Sequence, residues 1–152
     1  MAQDINEVVK FIQSQFVELL GDLSDYELSI IEKSIKFPFI KTFTSSSAMT
    51  DTIQSMIGNL SDLAYLENKI KALKYELYIK YRSEYEKQFT ILTRAGRPSK
   101  LAIDSEIHYS SPKLSEMRNK IELYENLLSY LENQIELVRM SIRNYENQKF
   151  HS

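Results

Sequence analysis

The stretch that decides the fold is LSEMRNKIELYENLLSYLENQIELVRMSIRNY, residues 114–145, where apolar residues recur at alternating steps of three and four. The ten positions are Leu114, Met117, Ile121, Tyr124, Leu128, Leu131, Ile135, Val138, Ile142 and Tyr145. Because an α-helix turns once in about 3.6 residues, this spacing places all of them along one side of a long helix. Ser111 and Pro112 suit a cap and a first helical residue. We therefore expect the helix to begin there and to run to about Gln148.

A second, less regular apolar stripe runs earlier in the chain, from Ile53 to Leu92. Only Gly58 interrupts residues 51–92, so this segment is predicted to form another long helix. We interpret residues 93–111 as the loop that joins the two. Since helices of similar length joined by one connection pack antiparallel, the predicted fold class is all-α, a long antiparallel helical hairpin of coiled-coil type.

Two shorter helices are predicted before the hairpin. The first begins at Asp4 and ends at Gly21, and the second begins at the capping box Ser24–Glu27 and stops at Phe37-Pro38-Phe39. The Ser/Thr-rich tract 42–50 is interpreted as a linker. The predicted division is therefore 1–50, the N-terminal helical pair and linker, and 51–152, the hairpin with its basic loop 93–111.

Several apolar residues lie outside the two stripes of the hairpin. They are Leu66, Tyr78, Ile79, Leu123, Leu127, Tyr130, Leu137 and Met140. Such a surplus predicts a third packing layer, supplied either by the N-terminal helices or by another copy of the chain. We favour self-association into a homo-oligomer, because the N-terminal helices are short and have stripes of their own to bury.

The composition argues against a catalytic or metal site. The 152 residues include no Cys and only two His, at positions 108 and 151. Disulfides, thiolate zinc sites and thiol nucleophiles are therefore excluded, and no metalloprotease, phosphate-loop or nucleophile-elbow motif occurs. We expect a protein that is not an enzyme and that needs no cofactor. With no signal-peptide pattern and no long apolar run, we expect a cytoplasmic location and no membrane partner.

The net charge of −2 conceals a strongly basic segment. Residues 1–68 carry ten acidic against four basic side chains, whereas residues 69–100 carry three acidic against nine basic ones. We call these nine residues the basic segment: Lys69, Lys71, Lys74, Lys80, Arg82, Lys87, Arg94, Arg97 and Lys100. Tyr75, Tyr78, Tyr81 and Tyr85 are interleaved with them.

This mixture of residues is a candidate binding site for single-stranded DNA. Cations neutralise phosphates, and aromatic rings stack on unpaired bases. The competing interpretation is a solvated helix face whose tyrosines belong to the core. Residues 94–100 also resemble the Arg-Gly-Arg-Pro core of an AT-hook, with Ala95 inserted. A basic loop that contacts phosphate is the interpretation we prefer there, and a simple turn shaped by Gly and Pro is the alternative.

Three stretches resemble the UvsY-type recombination mediators of bacteriophages. They are Lys80–Tyr85 near the end of a long helix, Asp104–Ile107 after a basic loop, and Ile142–Asn147 at the end of the last helix. The resemblance covers about residues 60–150. It implies a small helical oligomer that binds single-stranded DNA, with Lys80 and Arg82 as DNA contacts. It also implies a partnership with a RecA-like recombinase, which such proteins help to load onto DNA covered by single-strand-binding protein.

The sequence therefore favours a recombination mediator, located in the host cytoplasm if a phage encodes it. The main alternative is a structural or scaffolding coiled-coil protein, such as a phage assembly component or an adaptor, with no DNA role. A third possibility is a protein that binds duplex DNA.

Overall fold

A computed structural model describes residues 4–40, 42–94, 96 and 100–151 of the chain. The helices are α1 (Ile5–Leu20), α2 (Asp25–Lys36), α3 (Ser46–Arg94), α4 (Lys100–Ser110) and α5 (Pro112–His151), with a short 3₁₀ helix at Phe37–Phe39. Within these ranges there is no β-strand, so the predicted all-α class is confirmed. None of the helices, as far as they are described, has the length and hydropathy of a membrane span.

The two N-terminal helices begin and end where their capping residues predict. The carboxylate of Asp4 accepts a hydrogen bond from the Asn6 amide at 3.0 Å. Ser24 and Glu27 form the complete capping box of α2, each side chain accepting from the other residue's backbone amide. Gly21 ends α1 at a φ of +82°, a left-handed value that glycine adopts without steric cost.

Helix α5 confirms the stripe that decides the fold. It begins at Pro112, immediately after Ser111, and continues to His151. Each of its ten stripe positions is buried or half-buried, and Leu114 and Val138 are fully buried. The stripe of α3 is likewise covered from Ile53 to Leu92. Hydrophobic periodicity therefore identified the inward side of both long helices.

Two of the predicted loops are partly helical. Residues 93–111 were expected to be one loop, but Lys100–Ser110 form α4. The reason is a packing contact: Ile107 is fully buried in a cluster with aromatic residues of α3. The tract 42–50 is shorter than expected as a linker, because the Ser45 hydroxyl accepts from the Ala48 amide at 3.1 Å and α3 begins at Ser46.

The chain forms two compact units. Unit 1 comprises Met1–Lys69 and Leu127–Ser152, and unit 2 comprises Ile70–Asn126. Helices α3 and α5 each contribute to both units. This grouping differs from the predicted division at residue 50, because α1 and α2 pack with the parts of α3 and α5 that belong to unit 1.

Unit 1 has a core built from all four of its helices. Its large, fully buried apolar side chains are Phe16, Ile30, Ile31, Met56, Leu63, Leu66, Leu131 and Val138. Phe16 of α1 meets Tyr130 of α5 edge to face, with ring centroids 6.1 Å apart. The Gln134 side chain donates to the Ser34 carbonyl at 3.2 Å, and the Tyr145 hydroxyl donates to the Ile40 carbonyl.

These contacts account for part of the surplus of apolar residues. Leu66 and Leu127 are buried in unit 1, and Tyr130 contacts α1. The N-terminal helices thus supply a third layer there, the alternative that the sequence analysis did not favour. Leu123, Leu137 and Met140 stay exposed, as do Tyr78 and Ile79. Self-association stays a prediction, and these exposed apolar residues are the ones that another copy of the chain would cover.

Asn59 is one of several buried polar residues of unit 1. Asn59 of α3 is only 1% exposed, and its side-chain amide donates to the Ile30 carbonyl at 3.2 Å. Its Oδ1 atom has no hydrogen-bond partner among the described residues. The preceding residue, Gly58, is exposed on the outer side of the same helix.

Two glycine substitutions should change stability in opposite directions. Gly58→Ala should raise the free energy of unfolding by about 0.5–1 kcal/mol, because alanine favours the helix and its added Cβ meets no atom within 4 Å. Gly21→Ala should lower it by about 1–2 kcal/mol, because a side chain strains the backbone at a φ of +82°. Urea unfolding followed by circular dichroism measures both. If both variants changed the free energy of unfolding in the same direction, the conformations described for Gly21 and Gly58 would be contradicted.

Candidate nucleic-acid interface

The described residues of the basic segment differ in how strongly their charges are paired with other described residues. Lys69 belongs to unit 1, where its ammonium lies 2.5 Å from a carboxylate oxygen of Glu27. That carboxyl group is nearly buried, and its pKa is lowered by the hydrogen bond from Lys69 and by hydrogen bonds from Ser24, against the opposing effect of burial. The charge of Lys69 is thereby engaged within unit 1.

The other described members of the segment belong to unit 2. Lys74 of α3 pairs with Glu125 of α5 at 3.3 Å. Lys80 and Arg82 pair with Glu76 and Glu86, their neighbours one turn away, at 3.7 and 3.3 Å. Such exposed pairs within one helix contribute only about 0.3–0.5 kcal/mol. Breaking the ion pair of Lys80 or Arg82 to bind a phosphate therefore costs little free energy.

Lys87 and Arg94 are the least engaged cations of the segment. Both side chains are exposed, and no ion pair joins either of them to another described residue. Lys71 is exposed as well, although it has an interaction within the chain. Arg97 and the side chain of Lys100 lie outside the described part of the structure, and so does most of the AT-hook-like stretch.

The exposed cations of unit 2 follow two different sides of α3. Lys80, Lys87 and Arg94 are seven residues apart, which is close to two helical turns, so they share one side. Lys71 and Arg82 are eleven residues apart, close to three turns, and share another. The nine residues of the basic segment therefore do not form one patch.

The four interleaved tyrosines divide into two pairs. Tyr81 and Tyr85 are half-buried and pack against the buried pair Ile107 and Leu114. Tyr75 and Tyr78 are 67% and 45% exposed. Tyr81 and Tyr85 therefore belong to the core, whereas Tyr75 and Tyr78 are accessible to a ligand.

Hydrogen bonds hold α4 against α3 through Tyr81 and Tyr85. The Tyr81 hydroxyl lies 2.6 Å from Nε2 of His108, and Nδ1 of His108 lies 2.9 Å from the Asp104 carbonyl oxygen. Because that carbonyl can only accept, Nδ1 donates to it, and in the neutral imidazole Nε2 then accepts from Tyr81. The Tyr85 hydroxyl donates to the Asp104 carboxylate at 2.6 Å.

The environment of these hydroxyl groups favours their neutral form. Burial, followed by the hydrogen bond to Asp104 and the charge of that carboxylate, raises the pKa of Tyr85 from 10.0 to about 12. Burial also raises the pKa of Tyr81, against the opposing charge of Arg118. The Tyr81 and Tyr85 hydroxyl groups therefore stay neutral and can act as hydrogen-bond donors that hold α4 against α3.

The hydroxyl groups of this cluster lie within hydrogen-bond distance of acceptors on α4. The nearby Ser115 hydroxyl donates to the backbone carbonyl of His108 at 2.8 Å. That bond directs the hydroxyl to the backbone, away from a role with the imidazole ring. Across the described residues there is no group of three or more side chains suited to a metal ion. Asp104 and His108 stand four residues apart, the spacing of helix neighbours, which is the sequence signal that indicates their contact.

No protein-family model matches the chain, and neither does any curated protein or solved structure. The resemblance to UvsY-type mediators therefore stays an expectation from the sequence. Functional inference rests on the charges, exposure and contacts of the residues themselves.

Removing the Tyr85 hydroxyl should weaken unit 2 and change its response to alkali. Tyr85→Phe should lower the free energy of unfolding at neutral pH by about 0.5–1.5 kcal/mol, the usual contribution of one hydrogen bond. The folded pKa of about 12 exceeds the ordinary 10.0, so the contribution of Tyr85 is complete below pH 10 and is lost as the pH rises to about 12. Tyr85→Phe should therefore reduce the loss of stability over that interval.

Urea unfolding at a series of pH values measures both effects. Tyr109→Phe is the control, because Tyr109 is 91% exposed and its change leaves the bond to Asp104 in place. An alkaline loss of stability as steep in Tyr85→Phe as in the parent protein would contradict the prediction.

Proposed function

We propose that this protein binds single-stranded DNA and acts as a recombination mediator, which helps to load a RecA-like recombinase onto DNA covered by single-strand-binding protein. The observation that carries the DNA-binding part is the set of exposed, weakly engaged cations on α3, which are Lys80, Arg82, Lys87 and Arg94. Because these cations have weak ion pairs or none with described residues, they can bind phosphate at little cost. The mediator role and its protein partners come from the resemblance described above.

The proposal includes an antiparallel pairing of α3 and α5. Within unit 2, Lys74 of α3 pairs with Glu125 of α5, and Phe89 and Leu92 of α3 pack against the cluster that contains Leu114 of α5. The α3 residue number rises from the first contact to the second while the α5 number falls. This opposite progression supports an antiparallel pairing of the two helices within unit 2.

Oligomer formation would multiply weak contacts with the strand. One copy offers few phosphate contacts, but several linked copies bind one strand with a high effective local concentration. The apolar residues Leu123, Leu137 and Met140, 53%, 40% and 51% exposed, support such an assembly. No nucleotide or cofactor enters the proposed role.

These same exposed residues also favour the alternative function, a structural or scaffolding coiled-coil protein that lacks a DNA role. In that case the basic segment would contact an acidic protein surface. Assembly without DNA binding would point to this alternative. A preference for duplex over single-stranded DNA would indicate a duplex-binding protein.

The first test is the salt dependence of binding to single-stranded DNA. The parent protein should bind a labelled oligodeoxynucleotide more weakly as salt rises. Binding releases the counterions that surround the phosphates, and a higher salt concentration opposes that release. Lys80→Ala with Arg82→Ala should lower affinity and reduce the slope of log affinity against log salt by ~0.7 for each of the two cations that contacts the strand. The reduction should be about 0.7 for a strand that follows one side of α3 and about 1.4 for a strand that crosses both sides. Fluorescence anisotropy across a salt series gives both quantities, and circular dichroism checks helicity.

The matched control removes two exposed lysines from unit 1, Lys10 and Lys33. Lys10→Ala with Lys33→Ala changes the net charge equally and should leave the slope near that of the parent protein. No binding at low salt, or binding insensitive to salt, would refute the proposal.

The second test concerns assembly. Leu137→Glu with Met140→Glu should lower the mass of the assembly in sedimentation equilibrium, because each charge would have to be buried in the proposed contact. Gln54→Glu with Ser61→Glu is the control, since it adds the same charge at exposed positions of α3. A parent protein with the mass of a single chain at all concentrations would contradict self-association.

A further inference from the structure

Four side chains form a line on one side of α3 within unit 2. Lys71, Tyr75, Tyr78 and Arg82 follow one another at steps of four, three and four residues. Residues three and four apart are neighbours on a helix surface, so this spacing makes one continuous row. We call these residues the tyrosine row. Its two rings lie between two cations.

Every member of the tyrosine row is accessible. Tyr75 and Tyr78 are 67% and 45% exposed, the Arg82 side chain is 68% exposed, and Lys71 is exposed as well. Neither of the two rings makes an aromatic contact with another described residue. Tyr81 and Tyr85, by contrast, stack with His108 or Phe89. The row therefore presents two solvent-exposed rings that make no ring contact with the described residues.

The charge of the row suits a polyanion. The one carboxylate of α3 between Lys71 and Arg82 is Glu76, which lies on another side of the helix beside Lys80. The pair of Arg82 with Glu86 has both side chains about two-thirds exposed, so solvent screens it. On the neighbouring α5 helix, Glu125 is engaged with Lys74. Lys71 itself has an interaction within the chain, which a phosphate would have to share or replace. The carboxylates Glu76, Glu86 and Glu125 are paired or screened.

We infer that Tyr75 and Tyr78 stack on unpaired bases while Lys71 and Arg82 hold the phosphates on either side. The inference rests on the proposed function and names the part of unit 2 that would recognise single-strandedness. Phosphate contacts alone do not separate single strands from duplexes, whereas ring stacking requires unpaired bases. Because every base has a π-face, the preference would not depend on sequence.

The row matches the scale of a short stretch of strand. Eleven residues separate Lys71 from Arg82, which corresponds to about 16 Å along the helix at ~1.5 Å per residue. That length covers several phosphates at roughly 3.4 Å each in a stacked strand. Two bases held between two phosphate contacts therefore fit within the row.

The test compares an oligothymidylate with an abasic strand of the same length and charge. Tyr75→Leu with Tyr78→Leu should weaken oligothymidylate binding at least about 25-fold, on the order of five-fold for each lost stacked base. Its slope of log affinity against log salt should stay that of the parent protein, because no cation is removed. The parent protein should bind the abasic strand as weakly as the variant binds oligothymidylate.

The remaining variants separate stacking from charge and from folding. Arg82→Gln should reduce the salt slope and should weaken binding to both strands alike. Tyr109→Leu, at a 91% exposed tyrosine of α4, should bind as the parent protein does. The chain has no Trp, so Tyr75→Trp supplies a single reporter whose fluorescence should be quenched by oligothymidylate and not by the abasic strand.

The possible failures are distinguishable. Salt-dependent binding that is equal for oligothymidylate and the abasic strand, and unchanged in Tyr75→Leu with Tyr78→Leu, would overturn the stacking role and leave the proposed DNA binding intact. No binding to either strand, with normal circular dichroism, would overturn both. A preference for duplex DNA would also overturn the stacking role, because paired bases do not expose their faces.

Discussion

The structure depends on the need to cover the apolar stripes of α3 and α5. Each buried Leu or Ile contributes roughly 1.5–3 kcal/mol, so the stripes dominate the stability of both units. The short helices are arranged by the same requirement. In unit 1, α1 brings Phe16 to Tyr130, and in unit 2, α4 brings Ile107 into the cluster beside Leu114. Helix α4, with 11 residues, is too short to be stable by itself, and α1, with 16, takes most of its stability from the packing of its apolar side. Each therefore depends on the stripe that it covers.

This arrangement also determines where charge can lie. A helix whose inward side is apolar has only its flanks and outer side for charged groups. The exposed cations of α3 in unit 2 are consequently distributed over two sides, with Lys80, Lys87 and Arg94 on one and Lys71 and Arg82 on the other. A strand that contacted both sides would have to cross the helix. A strand that followed one side would meet either cations alone or cations together with exposed tyrosines.

Local signals predicted much of the fold, and distant contacts explain what they missed. The Ser24–Glu27 capping box and the steps from Leu114 to Tyr145 act within a few residues, so the sequence alone revealed them. Helix α4 depends on contacts of Ile107 and His108 with residues about twenty positions earlier, which no local pattern records. The charge of the basic segment was likewise visible, but the pairing of Lys69 with Glu27, 42 residues away, was not. The sequence could not show that Tyr75 and Tyr78 are exposed while Tyr81 and Tyr85 pack in the core, because only the structure gives the exposure of each side chain.

Asn59 has a consequence for the alignment of the helices in unit 1. Apolar stripes that repeat every three or four residues are nearly self-similar, so α2 could slip by one turn along α3 with little loss of apolar contact. Such slippage would carry the buried Asn59 amide away from the Ile30 carbonyl and would cost about 1–3 kcal/mol for the stranded donor. It would also separate Lys69 from the nearly buried Glu27. Two polar contacts thus select one alignment from a set that hydrophobic burial alone would leave almost equal in energy.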